Sequence, residues 1–163
     1  MITATKLAGF FAAHAIWCVA EGDTLIPMLA YTTERGENKM DRIVADNDLA
    51  KAVAWGQEKL NSNPMDANDA ALLYDGRITT EAGKLDAIII EIRAYFAPGA
   101  EAVFAVPYTP KQTGKLLVHK PKLVAWNNCE DFSVDDALGA FFEGVADHEK
   151  GSEVWNAHLD ESK

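Results

Sequence analysis

The chain of 163 residues is poor in the groups from which most recognisable sites are built. It has two cysteines, Cys18 and Cys129, far apart and in no zinc or redox spacing. A multi-bridge disulfide framework is excluded. A Cys18–Cys129 bridge is compatible with the sequence, but two lone cysteines in a chain of this length read as reduced thiols of a cytoplasmic protein. The four histidines, at 14, 119, 148 and 158, are scattered. None of the motifs G-x-x-x-x-G-K-[ST], G-x-G-x-x-G, H-E-x-x-H, G-x-S-x-G or C-x-x-C occurs. That leaves no sequence signature for a phosphate loop, a dinucleotide fold, a zincin or a serine hydrolase. Internal repeats and low-complexity tracts are lacking too, which excludes solenoids and disordered linkers. An excess of positive charge is also absent. The net charge of −10 opposes non-specific binding to nucleic acid or to an anionic membrane, since both partners repel it.

What is present is an ordinary globular composition, 48% apolar and 25% charged, in a length that one core can serve. The expectation is a single domain over 1–163 with a short amphipathic tail, 152–163. Charge is distributed unevenly. Residues 1–101 carry net −6 and residues 130–163 net −8, whereas 102–129 hold four lysines and no acid. The uncharged run Leu7 to Ala20 has some likeness to a signal-peptide core. His14 in its middle, bulky Trp17 and the single leading Lys6 argue instead for a structural helix.

Apolar spacing gives the elements. A first helix runs to Ala20, capped by Thr3 or Thr5, with Leu7, Phe10, Phe11, His14, Trp17 and Cys18 as its stripe. Its other side, Ala8, Gly9, Ala12, Ala13 and Ile16, is small but not polar. This helix is expected either between a sheet and another helix or against a partner subunit. A hairpin follows, Thr24 to Thr33 and Lys39 to Ala45. A second helix, capped by Asp46 or Asp48, runs to Leu60, with Gly56 placed for close approach to the sheet. Strands are expected over Ala71 to Thr80, with a bulge at Asp75-Gly76 and a turn at Glu81-Ala82-Gly83-Lys84; a tight hairpin at Asp75-Gly76 is the rival. Leu85 to Phe96, Ala102 to Tyr108 and Lys115 to His119 complete the sheet, the last reaching toward Trp126. Ser133 with Asp136 opens a third long helix that Gly151 breaks.

The order α-β-β-α-β-β-β-(β)-α predicts an α+β fold, an antiparallel sheet of five to six strands with three main helices. In order alone it is similar to roadblock/longin-like and profilin-like domains, and more loosely to small secretion chaperones. That resemblance implies a small interaction domain and carries no site residues.

Three constellations are candidates. Glu91, Arg93 and Tyr95 alternate onto one face of a strand and could clamp a small anionic ligand; cross-strand pairing on a solvated face is the plainer reading. Lys111, Lys115, His119, Lys120 and Lys122 form an acid-free cluster. It suits an anion or an acidic protein partner, or else protects an edge strand. His14 and Cys18, at i and i+4, have metal-ligand spacing but no third ligand nearby, so both are expected in the core. No metal, no cofactor and no catalytic residue is expected. The function anticipated is a non-enzymatic cytoplasmic protein-binding or adaptor module, homodimeric through the first helix or the C-terminal tail. The alternative is an anion-binding protein or enzyme using the Glu91, Arg93 and Tyr95 face.

Overall fold

A computed structural model describes residues 1–81 and 83–161. The described residues form an α+β fold of four helices and a seven-stranded antiparallel sheet. The helices are α1 (Ile2–Ala20), α2 (Leu49–Ser62), α3 (Val134–Asp147) and α4 (Glu149–Ala157). The strands are β1 (Met28–Thr32), β2 (Asn38–Arg42), β3 (Asp69–Thr80), β4 (Gly83–Ala94), β5 (Glu101–Thr109), β6 (Leu117–Val118) and β7 (Lys122–Asn127). The sheet runs β2-β1-β3-β4-β5, and β5 shares its outer side between β6 and β7.

The long hairpin β3–β4 is the spine, paired from Asp69↔Ala94 to Thr80↔Gly83. Its register is regular through Asp75↔Ile88 and Gly76↔Ala87, so the expected bulge there is absent. The chain reverses after Thr80, inside the anticipated turn, of which Ala82 lies outside the described residues. Even-numbered residues of β4 (Ile88, Ile90, Ile92) enter the main core with α1. Phe96, expected as the last residue of this strand, falls in the turn after β4 and is 68% exposed.

Helix α1 is buried on its small side. Ala8, Ala12, Ala13, Ala15 and Ile16 have no exposed surface. A methyl on Gly9 would stand 1.8 Å from the Phe141 carbonyl oxygen, and one on Gly144 would stand 2.0 Å from that of Lys6. Backbones this close need glycine at both crossing points. Of the two settings expected for this helix, the structure shows the internal one: the small face meets α3 and α4. By length and composition α1 could cross a membrane, but 61% of its most apolar window is buried inside the fold. Thr5 sits inside the helix, its hydroxyl donating to the Met1 and Ile2 carbonyls, and Met1 takes the cap position without a side-chain bond.

Two further corrections concern the C-terminal third. Gly151 does not break a helix. It lies within α4, where its missing Cβ lets α4 approach Ala13 of α1; the break is at His148, whose ring caps α4. The strand expected to run on toward Trp126 is two strands, separated by His119–Pro121.

Candidate functional site

The Glu91, Arg93 and Tyr95 row lies beneath α2, on the face opposite α1. Asp48 caps α2 by accepting from the Lys51 amide, and Gly56 lets it settle on Leu72. Each polar group of the row then fastens this helix or a neighbouring strand. Glu91 Oε2 accepts from Gln57 at 2.8 Å and from the Tyr74 hydroxyl at 2.7 Å. Arg93 donates to Asn61 at 3.2 Å and pairs with Glu101 at 3.7 Å. Tyr95 donates to the Leu60 carbonyl at 2.6 Å. Burial pushes the Tyr95 phenol up to about 12, and burial together with the Glu91 carboxylate raises Tyr74, so both stay protonated donors. Arg93 and Tyr95 also line a recess of about 280 Å³ with residues 97–101.

The lysine segment is dispersed by the fold. Lys111, in a short 3-10 turn at 111–113, pairs with Glu21 at 3.3 Å. Lys115 is exposed in the loop before β6. Lys120 lines a groove of about 340 Å³ with Phe142, Val145, Trp155 and Leu159. Lys122 is the first residue of β7. His119 is wholly buried. Its Nε2 lies 3.0 Å from the Thr109 hydroxyl and its Nδ1 3.8 Å from an Asp160 carboxylate oxygen. A hydroxyl, an imidazole and a carboxylate in a row have the outline of a nucleophile relay. Here, however, the ring is sealed beneath the chain end. The Val118 amide donates to the His158 carbonyl, and the Asp160 amide donates to that of Val118, so the row is a clasp holding this segment to β6.

His14 does not meet Cys18 as a metal pair. It faces His148, with His14 Nδ1 and His148 Nε2 3.0 Å apart. Both cysteines are free, and burial raises both thiols, which disfavours the reactive thiolate. No group of three or more metal-binding side chains is found among the described residues.

The two sheet edges differ in kind. Edge strand β2 is Asn-Lys-Met-Asp-Arg, with Lys39, Asp41 and Arg42 exposed; charges of this sort block pairing with another chain. The other long edge, β7, is Lys-Leu-Val-Ala-Trp-Asn. After Lys122 it carries no charge. Leu123 is 38% exposed, and Val124, the extra residue where the β5–β7 register shifts, is 55% exposed. An apolar edge offers its free backbone for β-pairing, with Lys122 and the Val124 bulge limiting the register available. Lys120 and Lys122 stand at its start, and Glu130 and Asp131 follow its end.

Sequence reasoning located the basic segment but not this strand, because it read the lysines as the feature and the apolar residues after them as a continuation. The signal was available: seven uncharged residues, Leu123 to Cys129, between a basic and an acidic stretch. Comparison of the chain with protein-family models, curated proteins and solved structures gave no match in any of the three.

Proposed function

We propose that this protein is a non-enzymatic protein-binding module that self-associates through β7, two copies pairing antiparallel across a two-fold axis. The observation carrying this reading is the contrast between an edge charged along its length at β2 and an edge at β7 that is apolar and uncharged after Lys122. Charge order supports a second copy as the occupant. In an antiparallel β7–β7 pair the basic start of one strand, Lys120 and Lys122, runs toward the end of the other, which Glu130-Asp131 follow after the turn at Asn128. The surface is thus self-complementary, as a two-fold interface requires. Helix α1 contributes no dimer contact through its small face, which α3 and α4 occupy. An acidic segment of another protein would compete with the second copy for the same edge. Free thiols fit a reducing compartment and so support a cytoplasmic module.

The test is sedimentation velocity across a concentration series, comparing wild type with Val124→Lys. The wild-type mass is expected to rise from 17.8 kDa toward twice that value, while the variant, equally folded by circular dichroism, stays monomeric. A wild type that remains monomeric throughout, or a variant that associates equally well, refutes the pairing.

A further inference from the structure

Two imidazoles meet where α1, α3 and α4 converge, and the hydrogen bonds fix their protons. The Gly151 amide donates to His148 Nδ1 at 2.8 Å, so His148 carries its proton on Nε2. That Nε2–H points at His14 Nδ1, 3.0 Å away, which must therefore be an acceptor. His14 then holds its proton on Nε2, a buried atom with no partner among the described residues. Each ring has one donor and one acceptor, and the chain closes only with both neutral. A proton on His148 Nδ1 would face the Gly151 amide and uncap α4. A proton on His14 Nδ1 would face the His148 N–H.

The surroundings favour the neutral pair. Phe10 packs on His148 with ring centroids 4.9 Å apart, and Trp17 lies 5.8 Å from each imidazole. Burial lowers both histidines below their ordinary 6.5, and for His14 the facing His148 and then Arg42 of β2 lower it further. On α1, Lys6 is paired with Asp147 at the end of α3, at 3.6 Å. Cys18, the next titratable group along α1, is held protonated mainly by burial. Glu149 and Lys150 at the start of α4 are exposed to water.

We propose that His14 and His148 form a pH-sensitive latch, which holds α4 against α1 while both rings are neutral and releases it when either ring is protonated. Release carries with it the segment 158–160 that α4 delivers to β6, and uncovers Trp155, now 2% exposed. The latch is independent of the β7 edge and stands or falls separately.

Hydrogen exchange of the intact chain, corrected for intrinsic rates, reads the latch directly. Protection of α4 and of residues 158–160 is expected to drop between about pH 7.5 and about pH 5, by about tenfold for each unit of pKa depression, while β3 and β4 stay protected. In His14→Gln/His148→Asn, where Asn can still cap α4 but nothing titrates, protection is expected to hold at both pH values. Equal α4 protection at both pH values in wild type, or an equal loss in the double variant, overturns the latch. If the double variant does not fold, His148→Asn alone is the comparison, and the wild-type result decides by itself.

Discussion

At the scale of single residues, the fold depends on positions where something is missing. Gly9 and Gly144 let α1 and α3 touch backbone to backbone, and the atoms they would strike are main-chain atoms that cannot swing aside. Gly9→Ala is therefore expected to destabilise by about 1–3 kcal/mol or more in urea unfolding. Gly139, exposed on α3 with nothing near its missing Cβ, makes the control; Gly139→Ala should stabilise by about 0.5–1 kcal/mol through helix propensity. Tyr95 shows the same dependence with a polar group. Its hydroxyl satisfies the Leu60 carbonyl near the end of α2, so Tyr95→Phe is expected to cost about 1 kcal/mol. The need for Gly56 could be read in advance because it stood alone in an apolar stripe facing a sheet. Gly9 gave no such signal. It sat among alanines, and its partner lies more than a hundred residues away.

Elements were legible where their signals are local. The β3–β4 hairpin, the α2 cap at Asp48 and the α3 cap at Ser133 follow from neighbours in sequence. α4 was legible only in part, as the amphipathic tail from 152; its start was hidden, because Gly151 reads as a breaker when its tertiary use is unknown, and because a histidine cap is unusual beside Ser, Thr, Asp and Asn. The His14–His148 contact joins residues that no spacing rule connects. Its consequence for stability has a definite sign. Both folded-state pKa values lie below the unfolded 6.5, so the unfolded chain binds protons first. Stability is then full above that value and declines as pH falls through it, until the folded pKa values are reached. Urea unfolding at about pH 7.5 and about pH 5 should show this decline in wild type and a smaller one in His148→Asn. Equal declines would mean that the carboxylates, not these rings, govern the acid side.

For the whole molecule, class and the order of elements along the chain follow from the grouping of helices and hairpins, whereas the order of strands in the sheet and the surfaces left free do not. The first helix looked like a subunit contact because both its sides are apolar; in the fold, two other helices consume its small side. The lysine cluster looked like one patch and is spread over a loop, a groove and a strand. A distinctive surface among the described residues is the β7 edge, with its basic start and acidic sequel. Swapping those charges tests whether two copies of this edge meet. Lys120→Glu/Lys122→Glu should abolish association by setting acid against acid, and adding Glu130→Lys/Asp131→Lys to the same chain should restore it, read as mass in sedimentation equilibrium. Loss with the first pair and recovery with all four is the result predicted by antiparallel β7 pairing. If the first pair associates as wild type does, or the fourfold variant fails to recover while remaining folded, the edge is not where the copies meet.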